Sequence, residues 1–196
     1  MQILKNVALS LSLTALLSAN AMGAVTLGKA AELACHRLEK LVSLGKAEES
    51  FITKFSSLEI SKLQPSKPAD PAFKVTISQH AGSDGSSKQI DIMLDVNGKG
   101  IAQIVKPGPE ASNAPVWSDK DALSLVEYAL HYVSDSDDAD LKPFLNGLTS
   151  LKLKQMKNDN GTSARVVMNS KETTKTLEVN LNENGSVEST NSIIAE

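Results

Sequence analysis

Cys35 and His36 are adjacent, and with His80 and His131 they make up the chain's only thiol and imidazoles. A thiol beside a base suggests nucleophilic catalysis. The surrounding pattern is helical, however, and helical neighbours point about 100° apart, so the two cannot face each other. Cys35 also falls on the apolar side of that helix, where a small buried thiol is the expectation. His36 follows Glu32 by four residues and His131 follows Glu127 by four, a spacing that suits surface contacts. No HExxH or CxxC occurs, so no metal site and no cofactor is expected.

Two stretches resemble calcium loops. Asp95-Val96-Asn97-Gly98-Lys99-Gly100 opens correctly but carries Lys99 and Lys106 where carboxylates are needed. The run Ser134 to Asp140 has Ala139, Asp140 and Asn146 at positions that require a ligand, a glycine and a glutamate. It reads instead as a loop in which Asp140 caps a following helix. Gly82-Ser83-Asp84-Gly85-Ser86-Ser87 is neither a nucleophile elbow nor a phosphate loop, and reads as a hairpin connection. Asn160-Gly161-Thr162 and Asn184-Gly185-Ser186 fit the glycosylation pattern but sit where hairpin turns are expected. No acid–base or nucleophile set emerges, and a non-enzymatic protein is expected.

The elements that must position any site come next. Lys5 precedes an apolar run from Val7 to Leu17, and Ala19-Asn20-Ala21 supplies small residues at a cleavage site. Residues 1–21 therefore read as a signal peptide. The protein is expected to be exported, periplasmic or secreted, in a bacterial envelope. Cys35 lies well beyond the apolar run, which argues against a lipid anchor. One cysteine allows no internal disulfide. The chain has 196 residues and a net charge of −3, and losing 1–21 removes Lys5 and no acid. That balance gives no reason to expect a nucleic-acid partner, and no later segment is apolar enough to insert in a membrane.

The chain repeats itself. Ser57 to Leu63 lines up with Ser150 to Met156, Phe73 to Ile77 with Ala164 to Met168, and Lys88 to Gly98 with Lys175 to Gly185. Upstream, Ala31 to Val42 falls on Ala122 to Val133. Four matches in order indicate duplication. Residues 25–105 and 117–196 form the two repeats, joined by a proline-rich linker over 106–116. Gln64 to Ala72 is an enlarged loop whose counterpart in the second repeat is the tight turn Asn158-Asp159-Asn160-Gly161.

Each repeat reads as two helices followed by four strands. Ala31, Ala34, Leu38, Leu41 and Val42 make one apolar stripe, with Gly45 as its stop. Ser118 and Asp121 form the capping pair of the second stripe, Ala122 to Val133, and Trp117 staples it. Phe51, Ile52 and Phe55 mark the shorter helix of the first repeat. The strands alternate apolar and polar, as in an antiparallel sheet covered by helices on one side. The Asn-Gly pairs at 97–98 and 184–185 suit two-residue hairpins with positive φ. The expected fold is α+β: two tandem repeats, each a helix-loop-helix packed on a four-stranded antiparallel sheet.

This layout, with its closing hairpin Leu177 to Val187, resembles the bacterial secreted beta-lactamase inhibitor protein family. The unit is also similar to the small exported modules called PepSY domains. The inhibitor family implies a sheet surface that grips an enzyme; no functional residue carries over. The expected function is binding of another protein or peptide, inhibitor-like, through the polar strand face or the hairpin loops. On that face Lys74, Met93, Lys152, Lys154, Arg165 and Val167 form the candidate partner surface, with Met93 and Val167 its apolar members. The alternative is a carrier holding a small apolar ligand between helices and sheet, near Ala30, Ala31 and Ala34.

Overall fold

The computed structural model describes residues 25–80, 86–108, 117–158, 161–182 and 184–194. Residues 1–21, expected to be a signal peptide, lie outside them, as do most of the Gly82–Ser87 connection, residues 109–116 of the expected linker, and Asn160.

The order of elements follows from caps and periodicity. Helix α1 (Leu27–Ser43) starts where the Thr26 hydroxyl accepts from Lys29 N at 3.1 Å. It ends at Gly45, whose φ of 67° lets Lys46 N reach Leu41 O (2.8 Å) and Gly45 N reach Val42 O (2.9 Å). This pair of bonds is a Schellman stop. A single turn, α2 (Ser50–Thr53), leads into β1 (Phe55–Lys62), β2 (Phe73–Gln79), β3 (Lys88–Leu94) and β4 (Gly100–Pro107). Lys106 and Pro107 therefore belong to a strand, not to the linker. The enlarged 64–72 loop is tied at its ends, with Leu63 N donating to Ala72 O at 2.7 Å and Ala72 N to Leu94 O at 2.8 Å.

Helix α3 (Asp119–Asp135) opens with the reciprocal Ser118–Asp121 capping box expected from the sequence. A second single turn, α4 (Lys142–Asn146), precedes β5 (Leu148–Asn158), β6 (Gly161–Ser170), β7 (Lys175–Leu181) and β8 (Val187–Ile194). Leu141 occupies the N-cap of α4, with proline just inside. Asp140 does not cap it; its N–H is turned back to Asp138 Oδ1 at 2.9 Å.

Phe55 also departs from expectation. It leaves the short helix and begins β1, fully buried, exchanging backbone bonds with Trp117 at 3.0 and 3.3 Å. Trp117 is thereby tied by its backbone to a strand.

All eight strands join in one antiparallel sheet, in the order β4-β3-β2-β1-β5-β6-β7-β8. Two separate four-stranded sheets were expected. Instead β1 and β5 pair, with Leu58 opposite Leu153 and Ile60 opposite Leu151. Those four side chains have no exposed surface. Left apart, each strand would present a bare edge beside a buried apolar row, and pairing removes both edges. Helix α1 packs on β1, β2, β3 and β5, and α3 on β1, β5, β6 and β7, while the two helices touch. The result is one continuous core on one side of the sheet.

The Asn-Gly turns are not two-residue hairpins. Gly98 N donates to Asp95 O (3.0 Å), so Val96 and Asn97 are the central residues and Gly98 follows them with φ of 78°. This is a turn closed by a glycine bulge. Asp95 Oδ1 accepts from Asn97 N and Lys99 N, both at 2.9 Å. Asn182 Oδ1 does the same for Asn184 N and Ser186 N, both at 3.0 Å, with Gly185 at φ of 80°. The carboxylate that looked like a calcium ligand serves as a turn cap.

Candidate binding face

One face of the sheet carries the helices. On the other, polar side chains from all eight strands stand in transverse rows, set by the register. No described helix packs there. All six residues singled out from the sequence lie on it, in two groups.

The first group is on β5 and β6. Lys152 is opposite Val167 and Lys154 opposite Arg165. Lys152 Nζ reaches across the seam to Glu59 Oε2 at 2.5 Å. Arg165 turns toward β7, donating from Nε to Asn180 Oδ1 (3.0 Å) and approaching Glu178 at 3.3 Å. Lys154 is exposed and has no ion-pair partner among the described residues. The second group is on β2 and β3, where Lys74 is opposite Met93. Strand β1 separates the groups, so they stand about 10 Å apart at the usual strand spacing.

Asp91 is the hub of the second group and is only 5% exposed. Lys106 Nζ donates to its Oδ2 at 2.7 Å, Lys74 Nζ lies 3.5 Å from the same atom, and Thr76 Oγ1 donates to Oδ1 at 2.8 Å. Burial alone would push this carboxyl up. The bonds from Lys106 and Thr76 and the charge of Lys74 outweigh it and hold the group below its ordinary range.

Strand β4 adds residues that alternation did not reveal. Ile104 lies opposite Asp91 and Ala102 opposite Met93, and Ile104 is 53% exposed. The run Ile101-Ala102-Gln103-Ile104-Val105 has no clean period of two, so its open-face members could be assigned only from pairing. Edge strands escape the cover that α1 and α3 give the centre, which leaves both sides of β4 exposed.

The catalytic candidates disperse. Cys35 is buried on α1, and burial, followed by the negative charges of Asp119 and Glu39, pushes its thiol up to about 12. Native protein should accordingly resist an aromatic disulfide reagent at pH 8 and react at Cys35 only in denaturant; fast native labelling would contradict this placement. His36 contacts Glu39 at 3.1 Å instead of Glu32, which pairs with Lys29 at 2.6 Å.

Asp119, at the start of α3, is a buried carboxylate that the sequence did not single out. Burial raises it above its ordinary value despite a bond from Lys120 N at 2.9 Å.

Ala30, Ala31 and Ala34, the residues named for the alternative carrier reading, are fully buried between helices and sheet. An open cleft of about 470 Å³ lies elsewhere, between α3 and the β7–β8 turn, and Trp117, Asp121, Tyr128 and Asn184 are among its walls.

No family model matches the sequence, and no curated protein matches it. Among solved structures, the chain is similar to a BLIP-like protein from Bacteroides fragilis, at 13% identity over 89% of this chain and 92% of that one, with a TM-score of 0.25. The likeness is loose and carries no inference about partner or site.

Proposed function

We propose that this chain is an exported, non-enzymatic binding protein that holds another protein or peptide on the open face of its sheet. One observation carries the reading: the described helices cover one side of an eight-stranded sheet, and the other side is a broad polar surface with half-buried Met93 and Val167 and exposed Ile104. Mixed polar and apolar surface of this kind supports a protein partner, because a binding patch needs a few apolar anchors within a polar field. Export rests on the leader-like residues 1–21.

We further propose that the sheet arose by duplication. The two halves follow the same order of helix, single turn and four strands. The Asp95 and Asn182 turns also close with the same hydrogen bonds. Fusing two units at β1 and β5 doubles the width of the open face, which favours a large partner over a small ligand.

The test is a steric block. Ser61 and Ser150 face each other at the seam, midway across the width of the open face. Protein captured from envelope extract by the wild-type chain should be lost with Ser61→Trp and kept with Tyr132→Arg on α3. Capture indifferent to Ser61→Trp, in a variant that melts like wild type, would remove the open face as the site.

A further inference from the structure

We infer that the partner presents carboxylates, and that one of them seats between Lys154 and Arg165. This deepens the open-face reading and rests on it.

The first observation is a charge contrast. In the transverse rows of the open face, Lys74, Lys106, Lys152, Lys154 and Arg165 are the cations. Asp91, Glu59 and Glu178 are the acids. The face is thus positive on a chain whose formal net charge is −3. A patch opposite in sign to the rest of its molecule selects partners by sign and orients them on approach.

The second observation is where the excess sits. Asp91 is shared by Lys74 and Lys106, Glu59 is taken by Lys152, and Glu178 by Arg165. Lys154 is left over. Its cross-strand neighbours are Ser57 on β1 and Arg165 on β5's other side. Two cations directly opposite on adjacent strands repel, and natural sheets pair such positions with opposite charge. Here Arg165 turns away to Asn180 and Glu178, and nothing among the described residues neutralises Lys154. A carboxylate from outside would relieve the repulsion and take charge-assisted hydrogen bonds from an ammonium and a guanidinium together. Val167 stands two residues from Arg165 on the same face and offers an apolar contact beside the charge. This favours an acidic protein segment over nucleic acid, whose evenly spaced phosphates would call for many unpaired cations.

The probe is poly-L-glutamate of about 20 residues, titrated into isotope-labelled full-length protein while backbone amide signals are followed. Shifts should concentrate at Lys154, Arg165 and Val167 and fade with added salt. They should weaken about tenfold or more in Lys154→Glu, and less in Lys154→Ala. Equal shifts at helix lysines such as Lys40 and Lys120 would overturn the inference. So would a short DNA duplex that binds the same residues more tightly than the glutamate polymer.

Failure here can be told from failure of the open face itself. Envelope capture lost in Ser61→Trp but unchanged in Lys154→Glu would keep the face and discard the carboxylate. Capture surviving both would discard the face.

Discussion

Replacing Ile60 with alanine is expected to cost the protein about 2–5 kcal/mol, the usual range for emptying a packed aliphatic site. Ile60 has no exposed surface and sits in the strand that joins the two halves, between Val75 on β2 and Leu151 on β5. The cavity would therefore open at the seam. One core spans both sides of it, so wild type and variant alike should unfold in a single cooperative step. Trp117 makes this measurable. It is the only tryptophan, and its backbone is bonded to Phe55 across the halves. Urea unfolding followed by Trp117 fluorescence and by far-ultraviolet dichroism should give coincident curves, shifted together in Ile60→Ala. Two separated transitions would mean that the halves fold as independent units and that the β1–β5 pairing is weak.

Asp91→Ala should be the most damaging single change on the open face, at about 1–2 kcal/mol, since it strands Lys74, Lys106 and the Thr76 hydroxyl at once. The loss should also depend on pH in a definite direction. Asp91 is held below its ordinary value of 3.8, so its contribution is complete above that value and disappears as pH falls through the lower folded-state value. The melting temperatures of wild type and Asp91→Ala should therefore differ most near neutrality and converge in acid. Asp119 acts with the opposite sign. Its raised value means that its contribution is present below pH 3.8 and lost as pH rises through the folded-state value. Asp119→Asn should accordingly gain on wild type as pH rises toward neutrality. A constant difference across the acid range, for either variant, would contradict the environment described for that carboxyl.

Much of this arrangement is legible in the sequence because it is local. The stripes of α1 and α3, the Ser118–Asp121 box, the Gly45 stop and the two-faced strands each follow from spacings of a few residues. What spacing could not supply is the partner of an edge. β1 and β5 each carry an apolar row on one face, and alternation alone fits two separate sheets as well as one joined sheet. Burial of Leu58, Ile60, Leu151 and Leu153 together decides it. Turn chemistry misled for a related reason: Asn-Gly signals a two-residue turn, but the Asx residue ahead of it takes two backbone N–H groups and lengthens the loop. Phe55 followed helical spacing from Phe51 yet entered β1, because its backbone is claimed by Trp117, far along the chain. The candidate face was readable as a list of residues on one side. Its division into neutralised pairs and, among the described residues, one unpaired lysine depends on register across seven strands, β1 to β7, which no single segment encodes.

The most direct measurement is photo-crosslinking from two positions in the producing cell. A benzophenone side chain at Val167 lies on the open face, and the same group at Tyr132 lies on the solvent side of α3. The open-face reading predicts a discrete crosslinked species from position 167 and none from position 132. A discrete species from position 132 alone would contradict it.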